Sequence, residues 1–214
     1  FQTLGLAFLL FSGPLNLDAS GEASTVLFTA LMFAVGFAIL FSIFPLYSWI
    51  PLVMDNSHPY GAVAFISIHY GVVTLFFLRL FQQNLWILTA LDFFGGLLFG
   101  GVLLIATAGA WAAFQRHLGR ILGYAVVIEI GYSLLSIGLR NGSLHYALVL
   151  PRMIGLLVWG LALTHLKSKV PDLRYRTVQG LGRQYPIMSG AILFANFSLA
   201  GLPLLASFPI MLSV

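Results

Sequence analysis

The stretch YGAVAFISIHYGVVTLFFLRLF, residues 60–81, is an uninterrupted apolar run. A helix that crosses a bilayer needs about 20 such residues, whereas runs of about 10–14 residues are more typical of buried core helices. Only His69 and Arg79 within the run can carry a charge near neutral pH. We therefore predict a transmembrane helix here.

The composition of the whole chain also indicates a membrane protein. Of its 214 residues, 60% are hydrophobic and only 7% are charged, against about 25% charged residues in soluble domains. The absence of cysteine excludes a disulfide scaffold and a thiolate metal site. Five of the ten basic residues lie in one loop, 166–185, so the net charge of +4 indicates membrane topology rather than nucleic-acid binding.

Similar apolar runs lie on both sides of residues 60–81. We predict an all-α, polytopic transmembrane helix bundle, because lipid offers no hydrogen-bond partner to an open strand edge. The bundle has six spans plus a partial one at residues 1–12, and the spans are 24–53, 60–81, 86–114, 119–138, 143–166 and 186–214. We expect residues 1–214 to form a single membrane domain that is part of a longer polypeptide.

Prolines interrupt the first and the last of these six spans. Pro45 and Pro51 lie near the end of the first span, and Pro203 lies within the last one. A proline inside a helix removes a hydrogen bond, and protein or water must satisfy the freed carbonyl group in a membrane. We predict discontinuous helices near Pro45 and Pro203, whereas Pro51 indicates a helix that ends near the interface.

The distribution of basic residues predicts the orientation. Loops 115–120 and 166–185 are basic, whereas loop 13–23 carries two acids and no basic residue. The positive-inside rule places loops 54–59, 115–120 and 166–185 on the cytoplasmic, matrix or stromal side. The membrane is then a bacterial plasma membrane or the inner or thylakoid membrane of an organelle.

Ionisable residues at membrane depth are costly and are therefore candidate functional residues. His69 could relay protons or could be a buried imidazole bonded to a neighbouring helix. Glu129, midway along its span, could be a relay group or a structural hydrogen-bond partner. Arg152 could pair with an acid such as Glu129, or its head group could extend to the interface. These three residues are our candidates for a proton path.

The remaining polar features have simpler interpretations. Asp92 lies near a helix start, where the macrodipole stabilises a carboxylate, so we expect it to have a structural role. His145 and His165 lie near span ends, so we expect these two histidines to be interfacial. No phosphate-binding loop, carboxylate pair or histidine cluster at metal spacing is present, so we predict no cofactor, no metal and no catalytic residue. Glycine pairs such as Gly100–Gly101 indicate close helix packing.

Four short motifs occur in order along the chain. They are Pro45-Leu-Tyr-Ser-Trp49-Ile-Pro51, then Arg120-Ile-Leu-Gly-Tyr124 with Gly131-Tyr132, then Asp172-Leu173 with Gly180-Leu181, and finally Ser198-Leu-Ala-Gly201-Leu-Pro203. The ordered set, over about residues 24–214, resembles the antiporter-like membrane subunits of respiratory complex I, a family that includes Mrp-type antiporters and membrane-bound hydrogenase subunits. The resemblance implies two inverted five-helix repeats, each with one discontinuous helix.

The departures from the family pattern concern its proton-carrying residues. In the family that this chain resembles, buried lysines and a glutamate move protons with the help of water and histidines. The lysine positions lack an ionisable group here and read Leu40, Gly71, Leu156 and Met211. His69 lies two residues from one of them and is a candidate substitute. Glu129 stands where the family commonly has His, Gln or Asn.

The resemblance leaves two functions open. The chain could belong to a proton-translocating NADH:quinone oxidoreductase-type assembly, or it could be a degenerate paralogue that serves as a scaffold or joins a bicarbonate-uptake or hydrogenase module. The expected partners are other membrane subunits and lipid, with quinone bound only by other subunits and no nucleic acid. The chain would count as an enzyme only through such membership. A third alternative is an unrelated helical membrane protein whose motifs arose by chance.

Overall fold

The computed structural model describes residues 2–12, 23–83, 92–140, 142–170 and 172–201. All regular elements in these ranges are helices, which confirms the all-α class. In chain order they are α1 (Gln2–Ser12), α2 (Ala23–Leu40), α3 (Trp49–Asn56), α4 (Pro59–Gln83), α5 (Phe93–Ala113), α6 (Leu118–Gly138), α7 (Gly142–Lys167), α8 (Tyr175–Val178), α9 (Leu181–Gln184) and α10 (Pro186–Leu199).

Within the described ranges, four helices are long and apolar enough to cross a membrane. These four stretches are Pro59–Gln82, Phe93–Ala113, Leu118–Gly138 and His145–Lys167. Shorter apolar helices cover Gln2–Phe11, Thr25–Leu40 and Pro186–Leu199. The predicted spans therefore agree with the structure in the middle of the chain. The predicted span 24–53 differs, because it is divided into two helices.

The outer surface of the bundle is apolar. Phe65, Phe99 and Leu150 are 68–70% exposed, although their side chains are large and hydrophobic. An exposed apolar surface of this extent is a liability in water, whereas it is the normal contact surface with lipid chains. The surface therefore agrees with a bundle that lies in a bilayer.

The chain is not α-helical between the end of α2 at Leu40 and the start of α3 at Trp49. A short 3₁₀ turn, Leu46–Ser48, occupies part of this segment, and the peptide bond before Pro45 is cis. The structure thus has the predicted discontinuity near Pro45. The second predicted break, at Pro203, lies outside the described residues. Pro51 stands in the first turn of α3, where proline removes no helical hydrogen bond.

Ser42 fixes this break against α4. Its backbone is left-handed, with a φ of 50°. Its hydroxyl oxygen accepts hydrogen bonds from the indole nitrogen of Trp49, at 3.1 Å, and from the hydroxyl of Tyr70, at 2.7 Å. One side chain in the break therefore connects the start of α3 to the middle of α4.

Glycines allow α5 and α6 to approach each other closely. A Cβ atom on Gly101 would lie 2.8 Å from the carbonyl oxygen of Gly131. A Cβ atom on Gly131 would lie 2.7 Å from the side chain of Ile105. The two backbones therefore touch, as small residues permit in membrane helices.

Candidate functional site

Three of the spanning helices, α4, α6 and α7, line a partly open cavity of about 380 Å³. Most of its lining is apolar, and its ionisable lining residues besides tyrosine are Glu129, His145 and Arg152. Hydroxyl groups add further polarity, from Ser67, Tyr70, Thr74, Tyr132, Ser133, Ser136 and Tyr146. Because α4, α6 and α7 are all long enough to span a membrane, we assign this cavity to the membrane interior.

Arg152 and Glu129 form an ion pair on the cavity wall. Nη1 of Arg152 donates to Oε2 of Glu129 at 2.9 Å, and the two side chains are only 5% and 12% exposed. The guanidinium carbon of Arg152 lies 4.0 Å from the centre of the Tyr132 ring. A carboxylate and an aromatic face thus both stabilise the buried cation. Of the two alternatives for Arg152, the structure shows pairing with Glu129.

The pair leaves part of the guanidinium group unbonded. Nε and Nη2 of Arg152 are buried and have no hydrogen-bond partner among the described residues. Buried donors are nearly always bonded, so these two require a partner from elsewhere. The adjoining cavity is large enough for several water molecules, since each occupies about 30 Å³ in the liquid.

His145 lies in the same cavity. It is the first residue of the candidate span His145–Lys167, so its interfacial position stays a prediction, and its burial was not predicted. His145 is only 5% exposed, and its Nδ1 lies 3.2 Å from the hydroxyl oxygen of Ser136. That hydroxyl donates to the carbonyl oxygen of Ser133, so the imidazole is the donor to Ser136. The last turns of α6 cover the first turn of α7, which buries a residue near a helix end. His165, at the other end of α7, is exposed.

His69 lies apart from the Arg152–Glu129 pair. It is not among the lining residues of the cavity in the described chain. Its ring packs beside Phe65 and Tyr70, at centroid distances of 6.4 and 5.2 Å. Its Nε2 is buried and has no hydrogen-bond partner among the described residues. The structure thus brings together two of the three proton-path candidates and leaves the third beside Tyr70.

Two positions that the family resemblance assigns to lysines line the cavity. Gly71 and Leu156 both belong to its wall. A Cβ atom on Gly71 would have no described atom within 4 Å, so the wall has room for a side chain there. Leu40 is buried in the core instead, at 2% exposure, and Met211 lies outside the described residues.

A second group of charges, which we call the helix-end cluster, lies where several helices end. Its five members are Asp55, His117, Arg120, Asp172 and Arg174. Nδ1 and Nε2 of His117 lie 2.9 Å from Asp55 and 3.0 Å from Asp172, respectively. Arg120 bonds Asp55 at 2.7 Å, and Arg174 bonds Asp172 at 3.0 Å. The cluster joins α3, α6 and the loop after α7.

Backbone contacts hold the same loops together. The amide of Leu118 donates to the carbonyl of Leu173 at 3.0 Å, and the amide of Tyr175 donates to the carbonyl of Arg116 at 3.0 Å. Nζ of Lys167 donates to the carbonyl of Ser57, also at 3.0 Å. Loops 54–59, 115–120 and 166–185 therefore meet at one end of the bundle.

No sequence pattern pointed to His117 or Asp55. Their loops are predicted to lie on the same side of the membrane as the motif residues Arg120 and Asp172, and this was the one indication that the four residues could meet. Asp92, in contrast, has the structural role that was favoured, since its Oδ1 accepts from the amide of Gly95 at 3.1 Å. Within the described residues, no group of three or more His, Cys, Asp or Glu residues could hold a metal ion.

Comparisons with known proteins extend along almost the whole chain. Subunit N of the NADH-quinone oxidoreductase of Pelagibacter ubique is 30% identical over 220 residues, covering 92% of this chain and 44% of that protein. Formate hydrogenlyase subunit 3 of Escherichia coli is 30% identical over 198 residues, covering 83% of this chain and 31% of that protein. This chain therefore spans less than half the length of either relative.

A solved structure shows the same fold. A chain of the membrane-bound sulfane sulfur reductase, an archaeal respiratory membrane complex, superimposes with a TM-score of 0.86 at 18% sequence identity. The superposition covers 99% of this chain and 47% of that one. Residues 3–214 also match the family described as NADH:quinone oxidoreductase/Mrp antiporter, TM. The chain is thus an integral, multi-pass membrane protein, and it belongs to the NADH:quinone oxidoreductase/Mrp antiporter transmembrane family.

Proposed function

We propose that this chain is part of an antiporter-like membrane subunit that contributes to ion translocation in an NADH:quinone oxidoreductase-type assembly. The supporting observation is the buried Arg152–Glu129 pair on the wall of a cavity between three spanning helices. Charged groups are expensive in a membrane and are found mainly where they serve ion or substrate paths. The proton is the proposed ion, because the resemblance implies proton movement and Glu129 is a carboxylate that can carry a proton.

The two members of the pair have different capabilities. An arginine keeps its proton in proteins, so Arg152 supplies a fixed positive charge. Glu129 is a carboxylate and can gain or lose a proton. We assign the exchange of protons to Glu129 and the control of its charge to Arg152. His145 and the cavity hydroxyls are the groups that would hold water between Glu129 and the ends of the cavity.

His69 enters this path only through Tyr70. The Tyr70 ring lines the cavity and packs against the imidazole. His69 is the third proton-path candidate, and it would exchange protons with the cavity beside Tyr70. The expected partners are other membrane subunits and lipid, with quinone bound by other subunits.

A scaffold function is the second candidate. Gly71 and Leu156 line the cavity at positions that the family resemblance assigns to lysines, and neither can carry a proton. Arg152 also neutralises Glu129 where a mobile proton would be required. These observations favour a degenerate paralogue that retains the fold for assembly, including assembly in a hydrogenase or bicarbonate-uptake module.

Proton pumping by the assembled complex distinguishes the two functions. Glu129→Gln should lower the number of protons pumped per electron transferred in vesicles, because the amide cannot exchange a proton. The matched control is His165→Gln, which removes an exposed ionisable group from the end of α7 and should leave pumping unchanged. Assembly is checked on the intact complex by native gels. Full pumping by an assembled Glu129→Gln complex would leave only the scaffold function.

The orientation of the basic loops is tested separately. The chain contains no cysteine, so Lys169→Cys and Arg140→Cys introduce single thiols at opposite ends of α7. We expect a membrane-impermeant maleimide to label Lys169→Cys only from the cytoplasmic, matrix or stromal side and Arg140→Cys only from the other side. The reverse pattern would overturn the orientation.

A further inference from the structure

An open cavity of about 690 Å³ adjoins the helix-end cluster. We call it the helix-end pocket. Its cationic lining residues are Arg116, Arg120, Lys167, Arg174 and Arg176, and its anionic ones are Asp55 and Asp172. The pocket therefore has an excess of positive charge. Because Arg116, Arg120 and Lys167 flank the ends of spanning helices, the pocket lies at the level of lipid head groups.

The two carboxylates pair with only some of the five cationic residues of the pocket. Asp55 and Asp172 are bonded to Arg120 and Arg174, respectively, and both also contact His117. The exposed side chains of Arg116 and Arg176 have no side-chain partner among the described residues. Two guanidinium groups are thus free to bind an anion, while the acids are already neutralised by neighbours. Guanidinium groups match the geometry of phosphate oxygens especially well.

Exposed aromatic side chains lie directly beside these cations. Phe114 lines the pocket and is 78% exposed, and Trp111 lies one turn earlier on α5 and is 54% exposed. Nearer the start of α5, Phe99 is also exposed, at 70%, and it lies only about 60° from Phe114 around the helix axis. An apolar, lipid-facing surface therefore leads along a spanning helix into a cationic pocket. A soluble anion would use the pocket alone, and an acidic protein segment would have no use for the apolar surface inside the membrane.

We propose that the helix-end pocket binds an anionic phospholipid. Its phosphate would be held by Arg116 and Arg176, and its acyl chains would lie along Trp111 and Phe114. The helix-end cluster holds the loops that form the pocket, since His117 connects the acids of α3 and of the loop after α7. This binding is independent of ion translocation at Glu129.

Quenching of a pocket label tests the proposal. The full-length protein carries bimane at Gln115→Cys, since Gln115 lines the pocket, and is reconstituted in phosphatidylcholine vesicles. A minor fraction of either brominated phosphatidylglycerol or brominated phosphatidylcholine is added. We expect the anionic lipid to quench several-fold more strongly at equal mole fraction. Equal quenching by the two lipids would overturn the proposal.

Charge-matched variants show whether the preference belongs to the pocket. The double variant Arg116→Gln/Arg176→Gln should lose the preference for phosphatidylglycerol. The control Lys169→Gln/Arg183→Gln removes the same charge from exposed positions outside the pocket lining and should keep the preference. Loss in both variants would mean general attraction to the basic surface and would overturn the proposal. Displacement by inorganic phosphate would also overturn it, because the site would then bind a soluble anion.

Discussion

The Arg152–Glu129 pair and the helix-end cluster both combine arginine with carboxylates, but the arginines of the cluster are far more exposed. The pair lies in a cavity between spanning helices, with side chains 5% and 12% exposed. In the cluster, Arg120 and Arg174 are 44% and 74% exposed. Beside the pair, a charge that loses its partner has only the few water molecules that the cavity holds, whereas bulk water replaces a lost partner at the surface. The comparison therefore predicts large effects of substitution at the pair and small ones at the cluster.

The largest effect is expected for Arg152→Leu. This change leaves the Glu129 carboxylate buried without its partner, and breaking a buried ion pair costs about 3–5 kcal/mol. The free energy of unfolding in mixed micelles would measure it. The comparison fails if Arg152→Leu costs no more than a substitution in the helix-end cluster.

The double variant Arg152→Leu/Glu129→Leu sharpens this result. Replacing both members of a buried pair by apolar residues of similar volume is often neutral or stabilising. We therefore expect the double variant to recover most of the stability that Arg152→Leu loses. A double variant as unstable as the single one would mean that packing around Arg152, rather than the unpaired charge, dominates its contribution.

A smaller effect is expected for His117→Ala. The imidazole and Asp55 are only 14% and 17% exposed, but both line the open helix-end pocket. Water in this pocket can solvate the acids that lose His117, so we expect a loss of about 1 kcal/mol. Amide hydrogen exchange should become faster at Leu118 and Tyr175, whose amides bond across the joined loops. His58→Ala is the control, because His58 is an exposed histidine of the same end of the bundle. Equal exchange rates in both variants would show that His117 does not hold the loops.

The smallest effect is expected for the exposed ion pair between Arg120 and Asp55, whose attraction is screened by salt. The coupling energy between Arg120 and Asp55 should be below about 1 kcal/mol and should fall further at 1 M salt, where the Debye length is about 3 Å. The coupling between Arg152 and Glu129 should change little with salt, because both side chains are buried. Double-mutant cycles at low and high salt measure both couplings. Equal salt dependence of the two would remove the distinction between the regions.

The apolar runs predict the helices well, because a membrane requires long, continuous hydrophobic segments. They do not predict which residues meet across helices. Arg152 and Glu129 are 23 positions apart on different helices, and their contact depends on how α6 and α7 are rotated and shifted. The burial of His145 was not predicted for the same reason, because its distance from a helix end does not reveal that α6 covers it. His117 needs a partner 55 positions away in a loop, which no local pattern indicates.

The close contact of Gly101 with Gly131 has a consequence for any current through this protein. Gly131 follows Glu129 by two residues on α6, and two residues correspond to about 200° of rotation around a helix. The two positions therefore face nearly opposite directions. The side toward α5 is filled where the backbones touch. In the proposed ion path, Glu129 is therefore approached from the cavity that α4 and α7 line.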